Sequence, residues 1–495
     1  MILNTGTGLF FLINLPTSPP IKEPRLFPFF GAKIAQPLSL VKRIRNQHFG
    51  TKTRNMKVLL IGRWGKTHAL AQALAKSKDV ELFSLMDKKN NGIAELCKDF
   101  KVCDISDIKQ IEPYVEEKNI DLLVVVPEFS LNRGVTDYFS KKGLPSVGPS
   151  EFCTKLEGDK GFLRFLMKEN NIDAYPEFQI FYDKEKAAGY IRNYPKPVAV
   201  KPAGVTEGDG VKVVGKQLQD KEAAIAYAGE IFDKAIGELP SVLIEERIEG
   251  EEYTLQLFCD GENISHSPAI RDYKLLNEGD SGLNTPGMGS YSSQDHLLPF
   301  LTYPLFDESI EIIRKILDAM LEKYDERFKG FLSGQYMLTK DGIKLIEINV
   351  RPGDSEILNT IPLLETDFGI ICEAIATGTL DSIDISFKKL ASVCKYVVPE
   401  GFPTPAGLAE VHIDREKVEK AGAHLFQSCF EQEENLYQPS PRLFAVTGLG
   451  ETIEDANEKC EEGLSGITGK GLFHRRDIGT PDLTYQFEKY DFIKE

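Results

Sequence analysis

The chain has 495 residues, 42 % hydrophobic and 27 % charged, which suits about three or four folded domains and excludes a disordered, collagen-like or disulfide-stapled polypeptide. Its formal charge is −16, from 59 basic and 75 acidic residues, so the whole chain lacks the basic footprint of a nucleic-acid binder, and cations that handle phosphates must be gathered locally. No apolar run reaches the roughly 20 residues a membrane-spanning helix needs.

Residues 1–55 carry eight Lys/Arg against the single acid Glu23, a net +7 that leaves −23 for the other 440 residues. Basic, acid-poor segments of this kind are either targeting peptides or disordered extensions. The second reading is favoured, because Met56 opens a clean strand, Lys57-Val58-Leu59-Leu60-Ile61-Gly62. Helical spacing follows over 67–76 (Leu70, Ala73, Leu74), with Thr67 in the N-cap position. The run Leu122-Leu123-Val124-Val125-Val126 is apolar on both faces, as a central parallel strand should be. Alternating strands and helices predict an open α/β sheet over 56–158, with ligands beyond its carboxyl ends, at 62–68 and Pro127-Glu128.

The pattern then changes. A charged helix over 160–170 leads to Val198-Ala199-Val200-Lys201-Pro202, a glycine-rich loop over 204–211, a helix over 220–236 and the strand Val242-Leu243-Ile244-Glu245-Glu246. A second polar, glycine-rich loop covers 278–289, a long amphipathic helix covers 305–326, and a hairpin over 332–351 turns at Lys340-Asp341-Gly342. From 385 a smaller α+β module has strands near 393–398 and 443–447. The eight cysteines are scattered without a C-x-x-C pair, which argues against zinc and fits a reducing, cytoplasmic compartment.

The hairpin carries most of the chemistry. With period-two alternation, Ile346, Ile348 and Val350 take one face, and Glu347, Asn349 and Arg351 the other. A carboxylate, an amide oxygen and a guanidinium in that spacing suit a hard divalent cation beside a phosphate. A three-residue turn would set Gln335 opposite Glu347 and add a ligand oxygen, whereas a two-residue turn would flip Gln335 away. Backbone N–H groups over 204–211 can drape phosphates, and Lys201 can reach one as a point charge. Glu245 and Glu246 can accept bonds from an adenine amino group or ribose hydroxyls. Gly65-Lys66-Thr67 ends like a Walker A loop, but Leu60 stands where its first glycine is required.

In order along the chain, Pro127-Glu128, Gly148-Pro149-Ser150, Leu156-Glu157-Gly158-Asp159-Lys160, Lys201-Pro202-Ala203-Gly204, Ile244-Glu245-Glu246, Gly279-Asp280-Ser281-Gly282, Gly287-Met288-Gly289, Glu347-Ile348-Asn349-Val350-Arg351, Gly353-Asp354 and His474-Arg475-Arg476-Asp477 form a recognisable series. Over 56–485 it resembles the phosphoribosylamine–glycine ligases, ATP-grasp enzymes of purine synthesis. Gly334-Gln335 and Lys395-Tyr396 look most like the archaeal-type branch. The resemblance implies a Rossmann-like α/β N-terminal domain (56–158), an ATP-grasp domain (159–384) with a mobile lid over about 177–247, and a C-terminal α+β domain (385–495). It implies ligation of glycine to 5-phosphoribosylamine at the expense of ATP, through glycyl phosphate.

By the same resemblance, Lys160, Lys201, Gly208, Gly210, Val211, Glu245 and Glu246 hold ATP, and Gln335, Glu347 and Asn349 hold Mg²⁺ or Mn²⁺. Arg351, Asp280 and Lys274 serve the transfer itself. Gly62, Gly65, His68, Pro127, Glu128, Asn284, Thr285 and Asp354 face the small-molecule substrates. The implied protein is a cytoplasmic monomer or homodimer without nucleic-acid or membrane partners. The chain departs from the family at Trp64, Lys66 and Thr67 in the first loop, at Asp209 where a lysine is usual, and at Pro286 and Pro352. Those departures keep two alternatives open: an ATP-grasp ligase for another amine, and a catalytically silent binding protein.

Overall fold

The computed structural model describes residues 55–204, 210–237, 240–404, 407–490 and 492; the N-terminal extension, Gly208 and Asp209 lie outside the described residues. The first sheet is wholly parallel. It consists of β1 (Met56–Ile61), β2 (Val80–Met86), β3 (Asp99–Val102), β4 (Leu122–Val125) and β5 (Ser146–Val147), in the order β3-β2-β1-β4-β5. Val58 to Ile61 and Leu122 to Val125 are buried, which is why those runs are apolar without alternation. The strand order reverses between β1 and β4, so Gly62 and Pro127 flank the crevice where such sheets take ligands.

The first helix spans Gly65–Lys76, two residues longer at its start than expected, and its N-cap is Trp64, not Thr67. The Trp64 side chain caps nothing. The caps come from far along the chain: the Gly65 N–H donates to Ser428 Oγ at 3.3 Å and the Lys66 N–H to Asp354 Oδ2 at 3.2 Å. These partners satisfy donors that a helix start leaves open, and no local pattern announces them.

A small antiparallel sheet follows, of β6 (Phe178–Phe181), β7 (Val198–Pro202), β8 (Lys212–Val213) and β9 (Val242–Glu246), in the order β6-β9-β7-β8. With the helices Lys184–Asn193 and Lys221–Lys234 it encloses an apolar cluster of its own, including Val198, Val200, Ala224, Ile231, Val242 and Ile244. The larger antiparallel strands are β10 (Gly250–Asp260), β11 (Ile264–His266), β12 (Arg271–Asn277), β13 (Ser281–Ser292), β14 (Lys329–Thr339), β15 (Gly342–Asn349) and β16 (Ala391–Pro399). They divide into two sheets. One runs β11-β10-β14-β15; the other runs β12-β13-β16, then the strands Phe444–Gly450 and His424–Gln427.

The stretch read as a second glycine-rich loop is therefore mostly strand. Gly289 pairs with Lys395, and a Cβ there would lie 2.3 Å from the Cys394 carbonyl oxygen, so glycine permits the close approach of β13 to β16. The amphipathic helix spans Tyr303–Tyr324 and buries Ile312, Ile313, Ile316 and Met320. Among the described residues, no helix is long and apolar enough to cross a membrane.

Candidate active site

A cavity of about 300 Å³ lies where the two antiparallel regions meet, and it collects residues from 156 to 356. Lys160, Lys201, Val211, Lys274, Asp280, Asn284, Thr285, Gln335, Glu347, Asn349, Arg351 and Asp354 all line it. Gly210 is close to this wall through its neighbour Val211, and its carbonyl accepts the Tyr227 hydroxyl at 2.7 Å.

Gln335 stands opposite Glu347, but not for the expected reason. The turn has two residues, Lys340 and Asp341, and pairs Thr339 with Gly342. A register shift between Gln335 and Tyr336 then inserts Ile346 as an extra residue in β15, and this bulge restores the pair. Lys274 Nζ donates to Gln335 Oε1 at 2.7 Å, and Gln335 Nε2 donates to Glu252 at 3.2 Å.

Burial opposes the ionised form of Glu347, yet Lys274, Lys160, Lys201 and Arg351 outweigh it and hold the carboxyl below its ordinary range. Lys274 shows the mirror effect: burial works against its charge, while Asp272 and Glu347 push it up. Burial lowers the Lys160 ammonium, which donates to the Gly204 carbonyl at 2.9 Å. Thus a chain of net charge −16 concentrates four cations around one carboxylate.

Glu245, on β9, is 2 % exposed and held by Lys201 at 2.5 Å and by Arg164 Nε at 2.6 Å. Burial disfavours its charge, but Arg164 and Lys201 prevail and keep it ionised. The Glu246 carboxylate is not brought to the cavity: alternation along β9 turns it outward, to Lys196 at 2.8 Å. Sequence reasoning missed Arg164, although its i,i+4 spacing from Lys160 places both on one helix face.

Arg351 is anchored by two acids. Its Nη2 lies 3.0 Å from Glu157 and its Nε 3.3 Å from Glu128, while the other Glu157 oxygen accepts the Val350 N–H at 2.8 Å. Asp280 is paired with Arg475 at 3.1 Å, and Arg475 in turn grips Asp477. The Thr285 hydroxyl donates to the Lys274 carbonyl at 2.8 Å and accepts the Gly287 N–H at 3.1 Å, so it supports Lys274. Glu356, also missed, lies in the wall with its pKa pushed up to about 7 by burial and by Asp272.

Gly62, Gly65, Pro127 and Glu128 gather beyond the ends of β1 and β4, beside the cavity rather than in its wall. Asp354 joins the two regions. It receives the Lys66 N–H, the Tyr396 hydroxyl at 2.5 Å and Arg442 at 2.9 Å. The Lys66 ammonium, 5 % exposed, is lowered to about 8 by burial and by Arg351. Trp64 packs edge-on against Phe129, with the Arg63 guanidinium 4.6 Å from its ring centre.

His68 does not reach the cleft. It is buried, its Nδ1 accepts the Gln427 N–H at 2.8 Å, and its ring meets Phe426 edge-on. Burial and Arg415 lower its pKa to about 3, so it is a neutral pin between the first helix and the strand His424–Gln427.

Family profiles match almost the whole of the described chain: phosphoribosylglycinamide synthetase N domain over 56–157, ATP-grasp (A) domain over 158–357 and C domain over 392–481. A phosphoribosylamine–glycine ligase of Methanopyrus kandleri is 41 % identical over 431 residues, covering 86 % of this chain and 96 % of the relative. One of Methanosarcina barkeri is 41 % identical over 442 residues, covering 89 % and 99 %. The crystal structure of the Thermotoga maritima phosphoribosylamine–glycine ligase superposes with a TM-score of 0.72 at 24 % identity, covering 86 % of this chain and all of that one. The chain belongs to the phosphoribosylamine–glycine ligase (phosphoribosylglycinamide synthetase) family of ATP-grasp enzymes.

Proposed function

We propose that this protein joins glycine to 5-phosphoribosylamine, converting ATP to ADP and phosphate and releasing glycinamide ribonucleotide. The observation that carries the reading is the convergence of Lys160, Lys201, Lys274 and Arg351 on Glu347 in one cavity, with Gln335 and Asn349 beside it. In the first step a glycine carboxylate oxygen attacks the γ-phosphorus of ATP and ADP leaves. In the second, the sugar amine attacks the resulting acyl phosphate, and phosphate and a proton leave. Both steps depend on positioning and charge neutralisation.

Lys160, Lys201, Gly210, Val211 and Glu245 hold ATP in this reading. Arg351 balances charge on the transferring phosphoryl group. Lys274 and Asp280 orient the glycine end with Asn284 and Thr285, and Gly62, Gly65, Pro127, Glu128 and Asp354 face the amine. The small sheet with its own apolar cluster, over about 177–247, acts as the lid that keeps water from the acyl phosphate. All eight cysteines are free thiols, in keeping with a cytoplasmic site of action.

The donor set fits Mg²⁺ or Mn²⁺. One ionised carboxylate and two amide side chains stand together, and the Lys274 ammonium bonded to Gln335 Oε1 at 2.7 Å supports this reading, since it is itself a cation held by one of the three donors. Glu347, Asn349 and Gln335 would hold the ion, which when bound supplies charge neutralisation to the ATP phosphates.

The test is ADP release from purified protein. Release that requires glycine and phosphoribosylamine together is the expected result. Release with another amine and none with phosphoribosylamine would make it a ligase for that amine, and no turnover with any amine would make it a binding protein. Glu347→Gln should abolish most turnover while leaving the thermal transition close to that of the wild type.

A further inference from the structure

The register of the metal-side hairpin depends on its bulge. The two-residue turn pairs Thr339 with Gly342 and continues regularly to Tyr336 with Leu345. Extended without interruption, that register would put Gln335 opposite Ile346 and turn Glu347 to the other side of the pair from it. The extra residue Ile346 prevents this, but a bulge leaves main-chain groups outside the ladder that need other partners. The Leu345 N–H donates to the Ala174 carbonyl at 2.7 Å, and the Ile346 carbonyl accepts Arg164 Nη2, also at 2.7 Å.

The same guanidinium donates through Nε to Glu245 Oε1 at 2.6 Å. Arg164 is 2 % exposed and lines the cavity, and its Nη1 is buried without a hydrogen-bond partner. One planar group therefore spans from a carboxylate on the nucleotide side to the carbonyl that the bulge leaves free. A lysine offers a single point of charge and cannot keep both contacts in that fork geometry.

We infer that Arg164 is a positioning residue that holds the Ile346 bulge, and so keeps Gln335, Glu347 and Asn349 in register as cation ligands while coupling them to Glu245. This rests on the metal and nucleotide assignments proposed above.

The test compares the full chain with Arg164→Lys and Arg164→Met. Three quantities are read: Mn²⁺ binding in the presence of ADP, followed by the electron-paramagnetic signal of free Mn²⁺; ADP binding in EDTA; and hydrogen exchange of the 342–349 amides. In Arg164→Lys the ammonium keeps the Glu245 pair, so ADP binding in EDTA stays close to wild type. Mn²⁺ affinity falls about ten- to a hundredfold, as for loss of a group that orients metal ligands, and the 342–349 amides exchange faster. Arg164→Met weakens both ligands. Unchanged Mn²⁺ affinity and exchange in Arg164→Lys would overturn the inference. So would equal loss of ADP and Mn²⁺ binding in step with a lowered melting temperature, which marks a residue that only supports the core. Wild-type protein that binds ADP but no Mn²⁺ would overturn the metal assignment itself, and the inference with it.

Discussion

Arg442 lies 2.9 Å from Asp354 Oδ1 through Nη2 and donates through Nη1 to the Asp354 carbonyl at 3.3 Å, so one buried arginine clamps the exit of the β14–β15 hairpin from both ends of a single residue. Its guanidinium carbon also sits 3.8 Å from the Tyr396 ring centre, and the Tyr396 hydroxyl bonds the same carboxylate. Because the Asp354 carboxylate also takes the Lys66 N–H, this contact joins the C-terminal sheet, the hairpin exit and the first helix.

Removing the acid from this clamp should be costly. The two side chains are 5 % and 8 % exposed, and breaking a buried pair by deleting one partner leaves an uncompensated charge. Asp354→Ala is expected to lose about 3–5 kcal/mol of stability, read by urea unfolding. Asp354→Asn, which keeps the shape, should lose less stability but raise the KM for the amine.

Gly65 is constrained by the same cluster. A Cβ at this position would sit 2.4 Å from the Tyr396 hydroxyl and 3.6 Å from Asp354 Oδ2. Gly65→Ala should displace Tyr396 from Asp354, costing about 1–3 kcal/mol as overpacking usually does. The measurable result is a lower melting temperature together with reduced kcat/KM for phosphoribosylamine and little change in KM for ATP.

Arg475 holds Asp280 from the C-terminal segment, with further bonds to the Leu275 carbonyl at 2.9 Å and to Asp477. Arg475→Gln releases Asp280 without emptying the space. A hydrogen bond to a charged group contributes about 1.5–3 kcal/mol, or roughly ten- to a hundredfold in kcat/KM for glycine. Steady-state kinetics with glycine and ATP varied separately would show the effect on the glycine side.

His68 makes stability depend on pH below neutrality. Its folded pKa of about 3 lies below the ordinary 6.5, so between those values the unfolded chain binds a proton that the folded chain does not. This contribution is fully present above pH 6.5 and is lost as the pH falls toward 3, to a total of roughly 5 kcal/mol. His68→Gln, which has no titratable group, should show a flatter decline than the wild type over that interval in urea unfolding at a series of pH values.

Much of the site could be read from residue order. Alternation along 344–351 separates Glu347 and Asn349 from the buried Ile348 and Val350 but misplaces Ile346: the bulge puts Leu345 in the core instead and leaves Ile346 half-buried in the cavity wall beside Glu347. The apolar runs at 57–61 and 122–125 mark the central parallel strands. Glu245 and Glu246 look alike in the sequence, as adjacent acids at the end of a strand, whereas the strand turns them to opposite sides.

Sequence by itself determined most of the elements, the apolar runs of the central strands, the buried stripe of the long helix and the ordered motifs that place the chain in its family, because those depend on local periodicity and on residues that stand close together in the chain. Tertiary structure decided the rest. It set the helix start at Gly65, the pairing of Gln335 with Glu347, the burial of His68 and the role of Arg164. Each of these is fixed by a partner remote in sequence or by a bulge whose freed carbonyl needs one: Ser428 and Asp354 for the helix, Gln427 for His68, and Ile346 and Glu245 for Arg164. A hydrogen bond between groups hundreds of residues apart leaves no periodic trace in the chain, since its geometry exists only after the intervening elements have packed.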